Sequence, residues 1–348
     1  MINSALLWVL WAILGAIGLL LLLYLYLVVQ KSFDVRWHSK LKLRRERLKP
    51  MVQKFLLEGE ESRGLQHLNE ADLVVLKDLL LEYNQVLRGV EQRERLQALA
   101  QLVFTEHFRR DMNSRNYANR LNALYAIEEF RMESLREDVV ERLRRKRKMG
   151  TVERYQLYAI LAGLQDDALL GFLTDSAQEP LPDFVYRELL LKMEDSLFNR
   201  LFNQIYTLPT ALRYCLIDII GNKGDYSYLT AIEELTYSRS VEERIRALKA
   251  ITKFGYVKRG STLVDKSEAE TWQERLMASR AMGAVAKDEF VDVLKKMLRD
   301  SSWWVRKESA QSLLRYPRGQ EILRQIAESD EDRYARDMAR EWLEAKQI

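Results

Sequence analysis

The chain has 348 residues, 47% apolar and 10% aromatic, enough for a large core, and its 14 Gly and 5 Pro fit long helices with short turns better than a β-rich fold. One cysteine, Cys215, excludes an intrachain disulfide and a cysteine-based zinc cluster, and the three histidines (His38, His67, His107) lie far apart in sequence. The net charge of +4 is local: residues 31–49 contribute +6 and the rest −2, which is not the balance of a nucleic-acid-binding domain.

Residues 5–29 form an uncharged apolar run, ALLWVLWAILGAIGLLLLLYLYLVV. As a helix it spans roughly 37 Å, enough to cross a hydrocarbon core with some tilt. Trp8 and Trp11 sit near one end and Tyr24 and Tyr26 near the other, where such rings favour the two interfaces. A cleaved signal peptide would want a basic start, a shorter apolar core and a small-residue cleavage site, and none is visible. Residues 1–30 therefore read as an uncleaved transmembrane anchor.

Residues 31–69 read as a basic juxtamembrane segment and linker. Its eight basic side chains (Lys31, Arg36, Lys40, Lys42, Arg44, Arg45, Arg47 and Lys49) follow the span, and none precedes it. Basic residues beside a span stay on the cytoplasmic side. The expected topology is a single pass of the plasma (inner) membrane, with the N-terminus outside and the large domain cytoplasmic. The same side chains can also rest on anionic lipid headgroups.

From residue 70 to 348 the chain repeats itself. Residues 244–254 (RIRALKAITKF) match residues 120–130 (RLNALYAIEEF), and an arginine recurs at Arg213, Arg244, Arg275, Arg306 and Arg336, intervals of 31, 31, 31 and 30. Looser copies fall at Arg95, Arg120, Arg154 and Arg187. Three residues on stands a small side chain (Ala98, Ala123, Ala247, Ala278, Ser309, Ala339), and seven on an apolar one, such as Leu102, Ile127, Ile251 and Leu313. This spacing marks one face of a helix, and small residues there let a neighbouring helix come close. Shorter amphipathic stretches at 226–236, 289–298 and 320–327 lie between, and all five prolines, Pro50 included, suit the edges of units. The predicted fold is all-α: one N-terminal transmembrane helix followed by an α-solenoid of about nine helical hairpins.

Residues 298–313 (LRDSSWWVRKESAQSL) resemble the second helix of a HEAT repeat, with Asp300 in the turn, then Val305-Arg306, then small and apolar positions. Residues 329–343 are a poorer copy that keeps Asp330 and Arg336. The period resembles the short HEAT variety of phycobilin lyases and many bacterial proteins. In such proteins the turn Asp and the Arg form a ladder between repeats, and the second helices line a concave face. The resemblance implies a protein-binding scaffold, and no cofactor or catalytic residue is expected. Small membrane-anchored HEAT proteins of bacteria sometimes accompany glycosyltransferases, which points to a membrane glycosyltransferase or an envelope-polysaccharide system as partner.

Two surface features are candidates for binding. Arg142, Arg144, Arg145, Lys146, Arg147 and Lys148 are six cations in seven positions. They suit the C-terminal end of a helix, and as a binding site they suit membrane or acidic protein better than nucleic acid, because residues 133–141 are acidic. Of Trp303 and Trp304, neighbours on a helix, one must point away from the buried face. Catalytic signatures are missing: there is no Gly-rich phosphate loop, HExxH or GxSxG. The alternatives are an enzyme on a HEAT-like scaffold, either a pigment lyase or a DNA glycosylase, and an anionic-lipid sensor using the two basic clusters.

Overall fold

A computed structural model describes residues 2–60, 63–65, 68–145, 149–175 and 180–345, and among these every regular element is a helix. Two compact units divide the chain, residues 1–164 and 165–348.

Unit 1 begins with α1 (Ile2–Glu58), followed by α2 (Glu70–Val86), α3 (Val90–Met112), α4 (Tyr117–Glu129), α5 (Arg136–Arg144) and α6 (Thr151–Gly163). Helix α1 has no break at residue 30 and runs through Pro50. No glycine occurs between Gly18 and Gly59, and Pro50, which removes one N–H donor and crowds the Glu46 carbonyl, does not end the helix. The end of α1 is core. Leu48, Val52 and Leu56, spaced by one helical turn, are at most 1% exposed and pack against α2 and α3. Each such side chain contributes about 2 kcal/mol on burial. Residues 48–58, expected as linker, thus cover the first helices of the repeat array.

Polar contacts fix the helix directions. Arg44 and Arg47 of α1 reach Asp72 in the first turn of α2, while Arg95 near the start of α3 donates to the Leu56 carbonyl at 3.2 Å. The far end of α3 returns to the start of α2 through Arg110–Glu70 at 3.2 Å. The end of α1 is therefore parallel to α2 and antiparallel to α3. Asn84 near the end of α2 bonds Glu129 at the end of α4, so α2 and α4 are also parallel.

Unit 2 is a run of hairpins: α7 (Ala168–Thr174) with α8 (Asp183–Lys192), α9 (Asp195–Phe202) with α10 (Thr210–Lys223), and α11 (Leu229–Leu235) with α12 (Val241–Phe254). It continues with α13 (Gly260–Ser267) and α14 (Trp272–Val285), α15 (Val291–Met297) and α16 (Trp303–Leu313), and α17 (Gly319–Ser329) and α18 (Arg333–Ala345). Each second helix packs on the next, α8 through α18. The small positions make this possible, since Ala247, Ala278, Ser309 and Ala339 are fully buried. A Cβ on Gly283 would fall 2.6 Å from that of Ser312, and one on Gly221 2.9 Å from the Ala250 Cα. Counting α1–α2 as the first layer, the described helices make nine layers, three in unit 1 and six in unit 2.

Arg95 does not belong to the repeat series as the spacing suggested. It lies in α3, the first helix of its hairpin, and its companions Ala98 and Leu102 are exposed, Leu102 by 79%.

Candidate functional site

From α4 onward the recurring arginine stands near the start of each second helix, and in the regular copies its guanidinium works on two sides. One nitrogen donates back to two carbonyls of the preceding turn: Arg244 to Ser238 and Arg239 (2.9 and 3.1 Å), Arg275 to Ala269 and Glu270 (2.9 and 3.0 Å), and Arg306 to Asp300 and Ser301 (2.7 and 3.2 Å). Arg120 and Arg336 repeat the geometry. The other side reaches a carboxylate in the next hairpin: Arg213–Glu243 at 2.6 Å, Arg244–Glu274 at 2.5 Å and Arg275–Asp300 at 2.6 Å. The paired fork contacts of Arg244 and Arg275 are the strong, orientation-fixing kind.

The acids are buried. The Glu274 side chain is 1% exposed, and such a carboxylate stays charged only beside a matched cation. The Arg244 hydrogen bonds hold Glu274 below the usual carboxylate range, against the upward push of burial. For Asp300, burial pushes up most strongly, yet the contacts from Arg275 and the Ser302 amide carry it below its ordinary value.

Three details were not read in the sequence. The acid of the ladder is most often the residue just before the arginine, as in Glu153-Arg154, Glu243-Arg244 and Glu274-Arg275, and this recurring Glu-Arg pair was a usable signal. Asp300 serves Arg275 of the preceding hairpin, whereas its own Arg306 donates to its backbone carbonyl. The ladder then ends: Arg306 stacks on Tyr334 at 4.9 Å, and Asp330 pairs with Arg299 at 3.0 Å.

In unit 1 the same device carries surplus cations. Glu153, with a side chain 5% exposed, accepts from both Arg120 and Arg142, and Asp72, 3% exposed, from both Arg44 and Arg47. Burial pushes both acids up, but the arginines outweigh it and hold each below its ordinary value. Beside Glu153 lies a cleft of about 760 Å³ lined by Arg115, Arg120, Arg142 and Arg145, with Glu153 the one acid in the lining. Beside Asp72 an open groove of about 510 Å³ is lined by Lys40, Leu43, Arg44, Arg47 and Asn69.

The basic run at the end of α5 thus divides. Arg142 is held by Glu153, and Arg145 pairs with Glu141 at 2.8 Å and reaches Asn113. Arg144 is exposed. Lys146, Arg147 and Lys148 lie outside the described residues. Of the cations of residues 31–49, Lys31, Lys40, Lys42 and Lys49 are exposed, Arg45 pairs with Glu82, and the side chain of Arg36 lies outside those described. Trp303 and Trp304, at the start of α16, are 40% and 54% exposed and meet edge-to-face at 4.8 Å, with Lys307 over Trp303.

Among the described residues no group of three or more His, Cys, Asp or Glu could hold a metal ion. Cys215 is buried, and desolvation raises its thiol pKa, the opposite of an activated nucleophile.

Residues 260–344 match the family of HEAT repeats, the region where the arginine, its carbonyl contacts and the small buried positions recur most regularly. The C-terminal part of the chain is made of HEAT repeats. HEAT-repeat solenoids are typical of protein-interaction scaffolds. No curated protein matches the chain. Similar solved structures include an engineered protein (16% identity, 80% of each chain covered, TM-score 0.27). Human deoxyhypusine hydroxylase in complex with glycerol is similar at 16% identity, covering 88% of this chain and 98% of that one, TM-score 0.29. A chain of the Pds5–Scc1 complex is similar at 15% identity, covering 86% of this chain and 59% of that one, TM-score 0.36. Likenesses this loose carry no argument about what the HEAT repeats here bind.

Proposed function

We propose that this chain is a membrane-tethered scaffold: α1 crosses the plasma (inner) membrane once, and the cytoplasmic HEAT repeats hold a partner protein beside it. The state of α1 carries the reading. Residues 14–31 are long and apolar enough to span a bilayer, and none of that stretch is buried against the protein. An apolar surface of that size left in water is costly, and a bilayer core removes it. The eight cations that follow support a cytoplasmic repeat domain with the N-terminus outside.

Tethering raises the local concentration of whatever the repeats bind, without any new contact. A membrane enzyme is the partner best served by this arrangement, and a glycosyltransferase of an envelope-polysaccharide system fits it. The ladder supports a binding rather than a catalytic role, because each of its acids is held by at least one arginine and none is left poised as base or nucleophile. The test is extraction of membranes at high pH together with reporter fusions at the C-terminus. Retention in the membrane with a cytosolic reporter signal is expected. Release of the chain would sink the tether, and a signal from an export-dependent reporter would reverse the topology.

A further inference from the structure

We infer that one edge of unit 1 docks on anionic phospholipid headgroups of the leaflet from which α1 emerges, so that the membrane holds the repeat domain at a second place. The inference rests on α1 being a span and adds a surface to it.

Two basic stretches, distant in sequence, meet on this edge. The end of α1 is parallel to α2, so the way back along α1 toward its apolar residues is the way the N-termini of α2 and α4 point. The second stretch arrives through Asn113, just before α4, whose side-chain oxygen accepts from both Arg142 and Arg145 at the end of α5. Glu153 in the first turn of α6 joins Arg120 and Arg142 there. The groove at Lys40, Arg44 and Arg47 and the cleft at Arg115, Arg142 and Arg145 thus share the edge from which α1 departs. The acids on it are already engaged: Glu70 with Arg110, Asp111 with His107, and Glu141 with Arg145. Helix N-termini add positive partial charge to the same edge. Leu43, 70% exposed beside the groove, is an apolar side chain suited to the interface.

Distance decides how the contact forms. From Lys31 to Arg44 α1 rises about 20 Å, and tilting it to ~40° brings that height to roughly 15 Å above the hydrocarbon. The headgroup layer occupies about 5–7 Å of this, and unscreened attraction reaches a further ~8–10 Å. A bilayer is favoured over an acidic protein because α1 already delivers this edge to it.

The test places the full chain in nanodiscs of phosphatidylcholine with and without phosphatidylglycerol and follows amide hydrogen exchange at residues 113–116 and 149–153. Exchange is expected to slow several-fold with phosphatidylglycerol, and to recover at raised salt and in the Arg115→Glu/Arg145→Glu variant. Lys40→Glu, far from that cleft, is expected to weaken the same protection. Equal exchange in the two kinds of disc overturns the inference and leaves the clefts to an acidic protein segment. A chain that washes off both discs overturns the spanning helix itself, and this inference with it.

Discussion

From Glu243 to Asp300 the ladder meets each buried acid with one arginine, as Glu274 with Arg244 and Asp300 with Arg275, whereas in unit 1 Glu153 and Asp72 each meet two, an arrangement that recurs in unit 2 only where Arg187 and Arg246 meet Asp218 among the described residues. The chemistry is identical, but the charge left over is not. A one-to-one rung is neutral and fixes the register between hairpins. A two-to-one rung fixes the register equally well and leaves a net positive charge beside open space. The same motif therefore serves packing in one region and presents charge in the other.

Acid should produce the largest effect, because it removes four rungs together. Glu274, Glu153, Asp300 and Asp72 all titrate below their ordinary values in the folded chain. Their contribution is complete above the unfolded values, 4.5 for Glu and 3.8 for Asp, and is lost as pH falls through the lower folded ones. Urea midpoints should stay level from neutral pH to about 5 and fall below it; a steep loss between pH 7 and 5 would contradict the ladder.

Removal of one cation should separate the two regions. Arg244→Ala strands Glu274 and should cost about 3 kcal/mol, seen as faster exchange in α12 and α14. Arg142→Ala leaves Glu153 with Arg120 and should cost about 1 kcal/mol or less. Equal losses would erase the distinction. Gly283→Val tests the steric side of the regular region and should cost about 2 kcal/mol, because a Cβ there meets Ser312. The smallest effect is a gain. Gly224, Gly255 and Ala286 end α10, α12 and α14 at 31-residue spacing with φ of 68, 63 and 52°. Ala286→Gly relieves the left-handed strain and should raise stability by about 0.5–1 kcal/mol in thermal unfolding.

The repeat was legible in unit 2 because each hairpin there has nearly the same length, so a fixed spacing finds the same structural position. It failed at Arg95, where α3 is long and stands first in its hairpin; local periodicity reports a helix but not its place in a pair. The basic runs were legible as charge, yet a sequence does not say which cations fold back on a buried acid. Asp72 lies 25 and 28 residues beyond the arginines it holds, and that pairing is a tertiary fact. The end of α1 looked like linker because it follows directly on the eight cations of residues 31–49. Three residues on one face sufficed to bury it.

The 57 residues of α1 form one rod about 85 Å long, with no glycine hinge between its apolar half and its core half. A lever results. If α1 spans a bilayer as proposed, a thinner or thicker bilayer would lean the rod, and a lean of ~10° carries a point ~40 Å along it sideways by about 7 Å. Membrane thickness at the anchor would then set the reach of whatever the repeats carry.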